Sequence, residues 1–340
     1  MSEPVDIKIA HINKAEAINY AINKEDVFEI FSRSSFEAIA PFYKFQQAWV
    51  NKAYDVFKDF DTYLILMYLK QKIYVDYSDR FHYMSVDAFY SQEKVAIEKI
   101  NLIEISKSFN IPKETIRRKI NFLQEKEIIF RKGKSIYLNS KALEIVKPNV
   151  TLPMLAIFFE KMSIILSKED WFGRSLKREN IEQFIREHFT VCWEYFYRFQ
   201  ISYLTKHRTI FGDLESWNVW GSIAIVQVSA FTESKKHIIR EELTTYEDYY
   251  LSMLKYKSLR GINASSIADI SGIPRATVIR KLRTMEKKSL ILRNKKLEYT
   301  LGRARNLKAL QTNYLINQKN LSDFCTTLFN LMKNSKFKID

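Results

Sequence analysis

Apolar residues recur at three- and four-residue spacing through most of this chain, and that spacing predicts helices. In the first half they cover residues 15–32, 36–57, 60–74 and 86–99. In the second half they cover 152–167, 178–205, 213–232 and 244–257, with a closing helix over 304–334. Only 7 Gly and 6 Pro interrupt the 340 residues, which favours long helices over a many-turned β fold. Two stretches are almost wholly apolar, "LPMLAIFFEKMSIIL" (152–166) and "WNVWGSIAIVQVSAF" (217–231). The first holds Glu160 and Lys161, the second Asn218 and Gln227. Each falls short of the roughly 20 residues that span a membrane, so both are expected as buried core helices.

The pattern is written twice. "IPKETIRRKI" at 111–120 returns as "IPRATVIRKL" at 273–282, and 111–132 aligns with 273–294 without a gap. Upstream, Ile105 and Ser106 fall on Ile267 and Ala268; downstream, "SIYL" (135–138) falls on "EYTL" (298–301) with one residue inserted. A second block, 40–64, matches 194–218, centred on "FYKFQ" (42–46) and "FYRFQ" (196–200). Such self-similarity implies a duplicated module. The expected division is a first repeat over 1–148 and a second over 149–340, with "KPNV" and "TLP" as the linker. The first would hold a helical part (1–99) and a basic unit at about 86–140. The second would hold a helical part (149–243), a basic unit (about 244–302) and the helix 304–334. The helical spacing of the FYKFQ and FYRFQ aromatics favours packing over a role as base-stacking platforms.

Within each basic unit the residues dictate a short sequence of elements. A helix over 264–271 turns Ile267 and Ile270 inward, and Gly272 then supplies a turn with positive φ. Asn110 takes that place in the first copy, and Asn is the non-glycine residue most tolerant of that region. Pro112 and Pro274 stand where the next helices begin. Those helices, 113–126 and 275–288, would bury Ile116, Ile120 and Leu123 in one copy and Val278, Leu282 and Met285 in the other. The apolar "EIIF" and "SLIL" then enter hairpins with basic tips, Arg131, Lys132 and Lys134 against Arg293, Lys295 and Lys296.

Charge sharpens this picture. The chain carries 54 Lys+Arg against 39 Asp+Glu, a net +15, and attraction to polyanions follows. A solvated basic surface would give the same total, but the charge is clustered. Residues 111–134 hold eight Lys/Arg and three Glu; residues 273–296 hold nine and one. The outward face of the second helix would present Lys113, Glu114, Arg117, Arg118 and Asn121 in one copy, and Arg275, Ala276, Ile279, Arg280 and Arg283 in the other. Arg118 and Arg280 occupy the same place and suit guanine or phosphate. Thr115 and Thr277 suit phosphate or a local bond in the first helical turn.

Helix, tight turn, second helix and small hairpin, carried by Ile-Ala…Gly-Ile…Ala-Thr-Val-x-Arg-x-Leu…Met…Leu-Ile at 267–291 and echoed in the first copy, resembles the winged helix-turn-helix domain of bacterial transcriptional regulators. The resemblance covers about 55 residues per copy. Ser108 departs from it where Ile270 stands, and the first hairpin is short. It implies a mainly α fold with two winged helix-turn-helix domains embedded in a duplicated helical scaffold. It further implies sequence-specific binding of double-stranded DNA, with helices 113–126 and 275–288 in successive major grooves and the hairpins on the backbone. One chain would act as a pseudo-dimer. Because the copies differ at Glu114/Ala276, Arg117/Ile279 and Asn121/Arg283, two unlike half-sites are expected. A replication initiator of the plasmid type shares the layout, and a winged helix also serves as a protein-interaction module.

Other chemistry finds no footing. GxxxxGK[ST], GxGxxG, HExxH and GxSxG are absent, so no cofactor, metal or enzymatic activity is expected. The five His show no ligand spacing, and the acidic pairs Glu241/Glu242 and Glu247/Asp248 are expected on a solvated face. Cys192 and Cys325 stand far apart and the N-terminal residues lack a signal-type apolar run, so a cytoplasmic setting is expected, with no membrane partner. A homodimer, and a small-molecule effector held among the aromatic helices, stay open.

Overall fold

The computed structural model describes residues 21–97, 101–132, 135–139, 147–168, 175–234, 246–255, 261–302 and 307–334. The described chain is mainly helical with two small antiparallel sheets. Its first run of elements is α1 (Lys24–Arg33), α2 (Ser35–Phe57), α3 (Phe60–Asp79), α4 (Val86–Tyr90), β1 (Lys94–Ile97), α5 (Leu102–Phe109), α6 (Lys113–Glu125), β2 (Ile129–Lys132), β3 (Ser135–Asn139) and α7 (Thr151–Ser167). The second is α8 (Arg178–Glu187), α9 (Phe189–Phe211), α10 (Leu214–Ser234), α11 (Tyr246–Lys255), β4 (Ile262–Asn263), α12 (Ala264–Ser271), α13 (Arg275–Lys287), β5 (Ile291–Arg293), β6 (Glu298–Leu301) and α14 (Leu307–Asn334).

The two runs match element by element. α1, α2 and α3 begin 154 positions before α8, α9 and α10, and α5 and α6 begin 162 before α12 and α13. α7 packs on α8 and α2, while α14 packs on α1 and α9 in the corresponding way. α7 is thus the packing counterpart of α14. Two expectations change. The helix expected over 86–99 ends at Tyr90, and β1 follows, because Val95 and Ile97 alternate inward and pair with Leu138 and Ile136 of β3. The single helix expected over 178–205 breaks at His188, which leaves the helical region and takes the Phe184 carbonyl as a cap.

The repeats do not sit side by side as finished halves. α9 packs most extensively on α3, and α10 on α2, so each long helix closes on the other repeat. The aromatic blocks record the symmetry. Phe42 lies 6.1 Å from Phe199, and their counterparts Phe196 and Phe45 are also 6.1 Å apart. Phe42 lies 5.5 Å from Tyr203, and Phe196 lies 5.6 Å from Trp49. Residue i meeting j while j's counterpart meets i's is the signature of a two-fold axis. The FYKFQ and FYRFQ segments are thus core, as their helical spacing implies. Each ring buried there contributes roughly 1.5–3 kcal/mol. Both apolar stretches, in α7 and α10, lie in this interior. No described helix is long and apolar enough to cross a membrane.

Candidate nucleic-acid interface

Each basic unit is built by a short chain of local causes. α5 ends in Asn110 at φ 51°, and α12 ends in Gly272 at φ 68°, so unlike residues make the same left-handed turn. Pro112 and Pro274 cap the helices that follow, with φ −55° and −53°. Those helices bury Ile116, Ile120 and Leu123 in one unit and Val278, Leu282 and Met285 in the other. Ile267 is buried as expected; Ile270 is only half-buried. Glu127 and Ser289 then adopt φ 54° and 57°. The next amides, of Ile128 and Leu290, donate to Leu123 and Met285 carbonyls at 2.9 and 3.0 Å. This is the Schellman closure of a helix end, made without glycine in either copy. A three-stranded sheet completes each unit, in the orders β1-β3-β2 and β4-β6-β5, with Ile129 opposite Leu138 and Ile291 opposite Leu301.

The outward faces are cationic. Lys113, Glu114, Arg117, Arg118 and Asn121 are exposed on α6, and Arg275, Ala276, Arg280 and Arg283 on α13, while Ile279 is half-buried. Arg131 and Lys132 are exposed on β2; Arg293 is exposed on β5, with Lys295 and Lys296 at the hairpin tip. Lys134 lies outside the described residues. The second tip is built by Asn294, whose Oδ1 accepts the Lys296 and Glu298 amides at 2.9 and 3.0 Å. Thr115 and Thr277 are half-buried, and neither hydroxyl bonds to a described residue, so the local first-turn bond does not form.

Not all of this charge faces outward. Arg117 is held by Glu114 at 2.7 Å, Arg293 by Glu286 at 3.4 Å, and Arg275 donates to the Ser265 hydroxyl at 3.1 Å. Lys119 and Lys281 point inward. Lys119 pairs with Asp59, the N-cap of α3, and Lys281 pairs with Asp213 at 2.6 Å. The same aspartates accept the Thr62 and Ser216 amides at 3.1 and 2.7 Å. Burial pushes the Asp213 carboxyl up, but the Lys281 ammonium and the Ser216 groups outweigh it and hold its pKa below the usual carboxylate range. One lysine in each basic helix thus fixes that helix to the scaffold. The alignment already held the signal, since Asp59 falls on Asp213 and Lys119 on Lys281. What remains without a side-chain partner among the described residues is Lys113, Arg118, Arg131 and Lys132 in the first unit, and Arg280, Arg283, Lys287, Lys288, Lys295 and Lys296 in the second.

A second tether crosses the molecule. Arg208 of α9 donates to the Phe109 and Asn110 carbonyls, each at 3.2 Å, and pairs with Asp61 at 3.1 Å. Asn51 of α2 donates to the Ile270 carbonyl, and Asn218 donates to Ser271 at 3.2 Å. The turn of each basic unit is therefore held by a long helix of the opposite repeat. No cluster of metal-ligating side chains forms among the described residues. Comparison with known protein families, curated proteins and solved structures finds no match.

Proposed function

We propose that the chain binds double-stranded DNA as a transcriptional regulator, and that α5, α6 and their sheet, and α12, α13 and theirs, are winged helix-turn-helix units. The observation that carries this reading is the duplicated helix face: the same exposed, cationic surface is presented twice on a scaffold with two-fold packing. Two-fold presentation of two such helices is how one protein reads two major grooves about one turn, roughly 34 Å, apart. Unpaired cations on helix and hairpin supply phosphate contacts, and Arg118 and Arg280 stand where a guanine edge is reached. Because Arg117/Ile279 and Asn121/Arg283 differ, the half-sites differ.

The test is selection by the purified protein from fragmented genomic DNA at two salt concentrations. The expected result is a few fragments with two unlike half-sites about one turn apart. Each phosphate contact should lower log affinity by about 0.9 per decade of salt. Direct repeats beside an origin would move the assignment to a replication initiator. No enrichment at low salt would end the DNA reading.

A further inference from the structure

The hairpin that joins β5 to β6 turns through Lys295, Lys296 and Leu297, between Asn294 and Glu298. The Asn294 amide donates to the Glu298 carbonyl at 2.9 Å, and the Leu297 amide donates to the Asn294 carbonyl at 3.1 Å. Asn294 Nδ2 adds a bond to Glu298 Oε2 at 2.8 Å. With the two amides already held by Asn294 Oδ1, these bonds fix the tip before any partner arrives. In a three-residue turn of this kind the last residue lies in the left-handed region, and glycine is the residue that takes it freely. Leu297 stands there, at φ 60°.

Leucine is disfavoured at this place twice. Left-handed backbone crowds its Cβ. Its side chain is 61% exposed, and Leu292, on the outward side of the same hairpin, is 56% exposed. Gly or Asn would relieve both, so Leu297 does not serve the fold. The first repeat is one residue shorter here and reads Lys132-Gly133-Lys134, with no apolar residue. The apolar knob is therefore peculiar to the second unit.

Its surroundings indicate what it meets. Lys295 and Lys296 precede it in the turn, both exposed and without a side-chain partner among the described residues. α13 of the same unit presents Arg280 and Arg283. A fitting partner carries dense negative charge with apolar surface recessed between the anions. Duplex DNA does so, with phosphates along each groove and stacked bases between them. A leucine on a rigid cationic support can enter between two base pairs and unstack them.

We propose that Leu297 is a wedge that enters the minor groove beside the half-site read by α13, parts one base step and kinks the duplex there, with Lys295 and Lys296 on the flanking phosphates. A pyrimidine–purine step, which unstacks most easily, is the expected place. The first unit lacks the wedge, so the bend is one-sided. This inference deepens, and rests on, the DNA-binding reading of the same unit.

The experiment uses the full chain and a duplex recovered by the selection described above. Adenine is replaced by 2-aminopurine at successive positions, so that fluorescence reports unstacking, and circularly permuted fragments report bending by gel mobility. A rise of roughly threefold is expected at one step beside the α13 half-site, with a bend of about 20–90°. Leu297→Gly and Leu297→Asn both suit the turn, and should abolish the rise and the bend while leaving the salt slope of binding unchanged. Leu297→Met should retain both. Unfolding midpoints of the Gly and Asn variants should equal or exceed that of the parent; a fall would make Leu297 a structural residue and overturn the wedge. Binding by the parent without unstacking or bending overturns the wedge and leaves the DNA-binding reading intact, whereas absence of binding by the parent ends both. If the Gly and Asn variants bend DNA as the parent does but lose binding to phosphatidylserine vesicles, the tip belongs to a membrane surface and the wedge is refuted.

Discussion

At position 70 the first repeat carries a lysine, and at the matching position 224 the second carries alanine; both are fully buried. The Lys70 ammonium has Tyr90 Oη at 3.2 Å and the rings of Tyr74, Tyr90 and Tyr197 within 5.5–6.0 Å, and no carboxylate partner among the described residues. The basic units diverge too. Arg117 is neutralised by Glu114, whereas Ile279 and Ala276 hold those places in the second unit. Backbone geometry is kept by any residue that tolerates it, as Lys58 at φ 51° and Gly212 at φ 89° both end a long helix. Side chains are free to differ wherever a contact does not repeat through the axis. The two-fold frame is thus shared, and the chemistry hung on it is not.

The largest expected effect tests the Lys70/Ala224 difference. Burial lowers the Lys70 pKa from 10.5 to about 7. Between those values the unfolded chain binds more protons than the folded one, so stability rises with pH from about 7. Tyr74 in the core and the half-buried Tyr63, whose pKa values desolvation pushes well up, reverse the slope above about 10. The gain from pH 7 to 10 is about 4 kcal/mol. Urea unfolding at several pH values should show it, and Lys70→Met should flatten the profile and raise stability at pH 7. An unchanged profile in Lys70→Met would remove the lysine as its source.

Next come the tethers. Arg208→Ala should cost roughly 3 kcal/mol, because it strands the largely buried Asp61. Asn51→Ala should cost about 1 kcal/mol. Hydrogen exchange gives the sharper readout. Arg208→Ala should speed exchange at residues 103–110, in the repeat that does not contain it, and Asn51→Ala should do so at 265–272. Loosening confined to the mutated repeat would contradict crosswise support.

On the proposed DNA-binding reading, smaller effects separate the two cationic surfaces. Arg280→Ala should weaken DNA binding by about 1–3 kcal/mol and relax selection in one half-site only. Arg117→Ala should cost less, since Glu114 already occupies that guanidinium. Smallest of all, Glu114→Ala should tighten binding by a few tenths of a kcal/mol by releasing it, measured as a steeper salt slope.

Much of this was legible in the sequence because the repeat was. Two copies that agree on Pro112/Pro274 and on Asn110/Gly272 fix a turn that either alone leaves weak. The buried triplets followed from helical spacing. β1 and β4, of four and two residues, were not legible: strands so short carry little alternation, and "KVAI" read as the tail of a helix. The break at His188 has neither Pro nor Gly to announce it. The exposed face of each basic helix was foreseen, but not which cations it spends internally. That depends on partners such as Asp59 for Lys119, 60 positions away. The crossing of the repeats was hidden for the same reason, since periodicity says which face is apolar but not whose face covers it.

That crossing has a consequence for how the chain acquires its shape. Gln47 bonds to Asn218 across 171 positions, and the aromatic pairs that complete the interior span comparable lengths. Closing loops of that size is slow, and no finished core rewards the first repeat while it emerges alone. A chain severed between α7 and α8 would yield two fragments that reassemble only with each other, neither surviving as a miniature of the whole.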